Sequence, residues 1–73
     1  MPLSMAKKGE VSVIQKVSGK EETKRFLESL GFVTGSLVTI VSELGGNIIV
    51  NIKESRVALN KDLACKIMIQ IQG

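Results

Sequence analysis

Leu37-Val38-Thr39-Ile40-Val41-Ser42-Glu43-Leu44-Gly45-Gly46-Asn47-Ile48-Ile49-Val50-Asn51-Ile52 reads as two strands folded about a tight connection. The first run is rich in β-branched residues, which suit a pleated, half-buried surface. Gly45-Gly46 supplies the positive φ that a short hairpin needs. Side chains alternate across a strand, so Val38 and Ile40 form one inward set and Ile48, Val50 and Ile52 the other. By the same alternation Leu37 and Ile49 point outward, and Leu44 stands at the hairpin tip. The hairpin fixes a mainly β protein.

Upstream, Val11-Ser12-Val13-Ile14-Gln15-Lys16-Val17 is a further strand. Val11, Val13 and Val17 recur at even spacing and are expected in the core, with Ser12 and Lys16 opposite. Ile14 and Gln15 break the alternation. A helix over about residues 20–30 follows, with Ser18-Gly19-Lys20-Glu21 as its capping box. Phe26, Leu27 and Leu30 form its apolar stripe, and Glu21 and Arg25 make an i,i+4 pair. Gly31 sits where a left-handed C-terminal cap belongs. Downstream, Lys53-Glu54-Ser55 turns into Arg56-Val57-Ala58-Leu59, and Asn60 caps a helical turn over Lys61 to Ala64. Ile67, Ile69 and Ile71 alternate with Met68, Gln70 and Gln72 in a last strand. About five short strands, one α-helix after the first and a short helical turn before the last define a small SH3-like barrel. An OB-type barrel is the nearest competing architecture.

The chain has 73 residues, read as a single domain over 1–73, with 44% hydrophobic and 23% charged residues. Ten basic and seven acidic residues leave a net charge of +3, dispersed along the sequence. One cysteine, Cys65, cannot close an internal disulfide and suits a reducing compartment, where it is expected as a small buried apolar residue. Met1 to Lys8 lacks the apolar run of a signal peptide, and no segment reaches the ~20 apolar residues needed to span a bilayer. A cytoplasmic location is expected, without membrane insertion.

Function narrows by elimination. The chain has no His, so the commonest general base and metal ligand at neutral pH is missing. Glu21, Glu22 and Glu28 decorate a helix surface, and a lone Cys with scattered carboxylates makes a poor metal site. No enzyme activity, cofactor, metal or small-molecule substrate is expected. The glycine stretches do not match a phosphate-binding loop. Nucleic-acid binding by a small basic barrel is disfavoured, because no Tyr or Trp provides a stacking platform and Phe26 is expected in the core. A protein-contact surface remains, built from Leu37, Leu44 and Ile49 with Met68 pointing outward from the last strand. The competing reading is a coiled barrel that folds these side chains inward, or a shifted register. Lys24 and Arg25 are candidates for steering an acidic partner, against the simpler reading of a solvated helix face. Self-association through the same aliphatics is the other alternative.

The order of the pieces resembles the FeoA family. Leu27-Glu28-Ser29-Leu30-Gly31-Phe32-Val33-Thr34-Gly35-Ser36 is similar to that family's LxxLGhxPG(S/T) segment, and Ala58-Leu59-Asn60-Lys61-Asp62-Leu63-Ala64 with Ile67 to its ALxxxLAxxI segment. Leu3 to Gly9 is similar to the family's entry into its first strand. Thr34 replaces the usual proline, and Glu54 stands where many members carry glycine. The resemblance implies an SH3-like cytosolic protein that accompanies FeoB, the membrane ferrous iron transporter, and binds it through FeoB's cytosolic part as an accessory or regulator. The same barrel closes iron- and manganese-dependent repressors. With Met1 at its start and no DNA-binding helices, the chain reads instead as a stand-alone module.

Overall fold

Five strands, β1 (Val11–Val17), β2 (Leu37–Leu44), β3 (Asn47–Ile52), β4 (Ser55–Asn60) and β5 (Ile67–Ile71), pair antiparallel in the order β4-β3-β2-β1-β5. Helix α1 (Glu21–Ser29) follows β1, the short α2 (Lys61–Ala64) joins β4 to β5, and a 3-10 turn spans Leu3–Met5. This computed structural model describes residues 1–72; Gly73, the last residue of the expected domain, lies outside them. The sheet curls until side chains from its two outer strands, Leu59 and Ile69, share one core with Leu27 of α1 and Phe32. Leu3 plugs that core from the N-terminal side.

The hairpin β2–β3 has the expected inward sets, with Val38, Ile40, Ile48, Val50 and Ile52 all buried. Its register shifts between Ile40 and Ser42, leaving Val41 as the extra residue of a bulge. Such an insertion reverses which residues face the core from that point on.

The same device corrects the expectation for β1. Ser12 and Ile14 are buried, whereas Val11 is 43% exposed and Val13 is half-buried. Ile14 pairs with Ile69 and Val17 with Ile67, the register shifting between Ile14 and Lys16. The extra residue at Gln15 places Ile14 and Val17 on one face despite their odd spacing. Even spacing of valines therefore misassigned the face at Val11 and Val13. Ser12 takes a core position at 1% exposure, and its Oγ has no hydrogen-bond partner within the protein.

Helix α1 begins one residue later than expected and its capping box does not form. Lys20 is the N-cap, with no side-chain cap hydrogen bond. Ser18 is held elsewhere, its N–H donating to Lys66 O at 2.7 Å, and Gly19 turns the chain at φ 108° before the helix starts. The C-terminal end does follow the sequence. Gly31 at φ 108° donates to Glu28 O, and Phe32 N–H reaches back to Leu27 O at 3.0 Å. These two bonds make a Schellman cap, and Phe32 packs with Leu27 in the core as that motif favours. Phe26, expected in the apolar stripe, is 51% exposed instead. A nine-residue helix touching the sheet along one edge buries Leu27 fully, and Phe26 lies ~100° around from it. Asn60 caps α2 as expected, Oδ1 accepting from Leu63 N–H at 2.8 Å.

Two substitutions test this account by urea unfolding. A Cβ at Gly31 would meet only ordinary contacts, the nearest being Ile52 Cγ1 at 3.5 Å. The left-handed backbone alone should therefore make Gly31→Ala destabilising by about 1–2 kcal/mol; an unchanged midpoint would refute the cap. Ser12→Ala should be neutral or stabilising by up to ~1 kcal/mol, because it removes an unsatisfied buried hydroxyl. A clear loss of stability would mean that the hydroxyl is bonded.

Candidate protein-docking surface

Residues 37, 39, 42 and 44 of β2 face outward, the Val41 bulge keeping Ser42 and Leu44 in phase with Leu37. Their neighbours on that face are Val11 and Val13 of β1 and Asn47, Ile49 and Asn51 of β3. Leu37 is 54% exposed and Leu44 is 70% exposed, so both are available for contact. They stand seven residues apart on one strand, roughly 20 Å at the usual rise per residue. Ile49, half-buried opposite Ser42 and Ala58, belongs with the Leu44 end. The four aliphatics named from the sequence therefore do not form one patch. Met68 does lie on the outer side of β5, half-buried where the N-terminal segment crosses it at Pro2.

The Leu37 end has the more developed surface. Val13 lies directly across from Leu37, and Val11 across from Thr39. A shallow, open depression there is lined by Val11, Ser36, Leu37, Thr39, Asn51 and Lys53. Arg56 joins its edge by donating from Nε to Asn51 Oδ1 at 3.3 Å. Lys53 is held by the two-residue β3–β4 turn, at φ 55°. Even spacing alone assigns Val11 to the core and so hides its place on this surface. The broken alternation at Ile14-Gln15 is the signal from which the bulge, and with it an outward Val11, could have been found.

The two cations named from the sequence lie elsewhere. Lys24 lines a separate cleft between α1 and the end of β1, with Lys16, Val17, Glu28, Phe32, Val33 and Thr34. Arg25 is paired with Glu21 at 3.9 Å, both side chains largely in water, so the pair adds little stability. Cys65 is exposed rather than buried, its Sγ 3.2 Å from Ser4 Oγ. It is the C-cap of α2, where the chain leaves the helix on the solvent side. Among the described residues no three His, Cys, Asp or Glu side chains converge on a metal-sized site. No helix among them is long and apolar enough to cross a membrane.

A five-stranded curled sheet with an outward aliphatic surface defines a small β-barrel module of the SH3-like class. Its structural relatives agree. The zinc complex of Stenotrophomonas maltophilia FeoA, described as a prokaryotic SH3 domain protein, superposes at a TM-score of 0.86 with 26% identity over 96% of this chain and 89% of that one. FeoA of Chlorobium tepidum gives 0.90 with 27% identity, covering 100% of this chain and 71% of that one. The chain belongs to the FeoA family: the FeoA domain model matches residues 1–71. A protein of Methanocaldococcus jannaschii assigned as an Fe(2+) transport protein A is 32% identical over 69 residues, 94% of this chain and 84% of that protein. The family is linked to ferrous iron transport.

The exposed thiol gives a direct check on the α2–β5 junction. Cys65 in the native protein should react to completion with an aromatic disulfide reagent at the rate of an open thiol. Reaction only after denaturant is added would place it back in the core.

Proposed function

We propose that this chain is a non-catalytic cytoplasmic accessory protein of ferrous iron uptake that binds the cytosolic part of FeoB and regulates transport. Membership of the FeoA family carries the reading, since it ties the whole described fold to ferrous iron transport. The chemistry of the surface is consistent with it. A chain without His lacks the usual proton-transfer group, whereas exposed aliphatics on a rigid sheet suit protein contact. The protein thus acts by occupying a surface of the transporter, with no cofactor or small-molecule substrate of its own.

A nucleic-acid-binding barrel remains the contrasting outcome, and Phe26 gives it one exposed aromatic. A lone ring is far from the series of stacking platforms that single-strand binders use. A self-associating module is the other contrast.

Titration calorimetry against the cytosolic domain of FeoB from the same organism tests the proposal, with no nucleotide, with GDP and with a non-hydrolysable GTP analogue. Saturable binding in at least one state is expected. Absence of heat in all three, with both proteins folded, overturns binding to the cytosolic part. A difference between states would couple the contact to the GTPase cycle.

A further inference from the structure

We propose that the depression between β1 and β3 is the docking face, and that it receives an acidic segment bearing a large aliphatic side chain. This rests on the reading above, in which the segment belongs to the cytosolic part of FeoB. The floor is apolar: Leu37 and Val11 are both substantially exposed, and Val13 lies across from Leu37. One side of it is basic. Lys53 lines the depression, and Arg56 reaches its edge through Asn51. Neither cation has a carboxylate within ion-pair distance; the sole ion pair among the described residues is Glu21–Arg25 on α1.

The carboxylates nearest in sequence do not neutralise this rim. Glu10 precedes Val11, but its Oε1 accepts from the Lys7 N–H at 2.9 Å, which ties it to its own turn. Glu54 is exposed beside Lys53 in the β3–β4 turn without pairing to it. An apolar floor with one unpaired basic side is complementary to a segment that presents an aliphatic anchor beside carboxylates. The Leu44 end offers no equivalent, because its leucine stands at a hairpin tip next to Glu43.

The backbone here is well fixed for such a task. Turn residues Gly35 and Ser36, which lead into Leu37, exchange hydrogen bonds with Ile14, Gly35 N–H to Ile14 O and Ile14 N–H to Ser36 O. The start of β2 that carries the anchor is therefore held to β1 through this turn and through the Val13–Leu37 pair, and binding orders little that is not already ordered.

Calorimetry of full-length variants against the FeoB cytosolic domain, in whichever nucleotide state binds the unaltered protein, decides the matter. Leu37→Asp should weaken binding by roughly thirtyfold or more, the loss typical of a central anchor. The pair Lys53→Glu with Arg56→Glu should weaken it by about tenfold or more, and Leu44→Asp should leave it unchanged. Circular dichroism checks each fold. If Leu37→Asp unfolds, Thr39→Glu, in the same depression, takes its place with an expected loss of about tenfold or more, since it sets a carboxylate against the incoming acidic segment. Binding that survives Leu37→Asp and Thr39→Glu overturns the face while leaving the FeoB reading standing, and its loss in Leu44→Asp would move the site to the other end of β2. Absence of binding by the unaltered protein overturns both. A dimer in sedimentation that Leu37→Asp dissolves would make a second copy the occupant, and overturns the acidic segment.

Discussion

β1 must hydrogen-bond a strand on each of its edges, and the structure depends on its doing so without losing the core. On one side Val11, Ser12 and Val13 pair with Thr39, Val38 and Leu37. On the other, Ile14 and Val17 must meet Ile69 and Ile67, an odd step on β1 against an even one on β5. One extra residue at Gln15 reconciles the two. The bulge is held rather than left loose: Thr34 Oγ1 donates to Gln15 O at 3.2 Å, and Gln15 Nε2 donates to Gln70 Oε1 at 2.9 Å. A bulged strand bends and gains twist, which is what brings the two halves of the sheet around a common interior.

The surface follows from the same constraint. Because Ile14 and Ser12 take the core positions, Val11 and Val13 are turned outward beside Leu37. The core accepts a serine whose hydroxyl has no partner within the protein, and the exterior gains an aliphatic side chain, Val11, that is 43% exposed. Stability and surface chemistry are thus traded at adjacent positions of one strand. The β3–β4 turn completes the outer face by projecting Lys53 toward it from a left-handed backbone. Such a backbone is uncommon for a residue with a Cβ. The sequence departure noted at Glu54 falls on the other residue of that turn, which does not adopt positive φ.

What could be read without coordinates was whatever local chemistry determines. The β2–β3 hairpin, the Gly31 cap, the Asn60 cap and the alternation of Ile67, Ile69 and Ile71 all declare themselves through residue type and spacing. Failures arose where a tertiary partner decides. Ser18 carries the residue types of a capping box, yet its backbone is claimed by Lys66, 48 positions away. Phe26 and Leu27 are both strongly apolar, and only which side of a short helix is turned to the core chooses between them. Leu3 gave no periodic signal at all, being a single plug on a 3-10 turn. The outward leucines were identified correctly as outward, but not that Leu37 and Leu44 stand at opposite ends of a strand. Outwardness is a property of alternation, and proximity is a property of register and length.

The strand order has a consequence for how the chain is made. β1 to β4 pair with their sequence neighbours, so each can find its partner as soon as the next strand exists. β5 is the exception: it is the last element and supplies the second edge of the first strand. During synthesis β1 therefore waits with one edge bare, its isoleucine and serine unopposed on that side, until residue 71 has cleared the ribosome. The N-terminal segment waits with it, since Met1 exchanges both of its backbone hydrogen bonds with Ile69. Closure of the barrel therefore waits for the strand made after the other four, and the interval before it is when the growing chain is most open to pairing with the wrong strand.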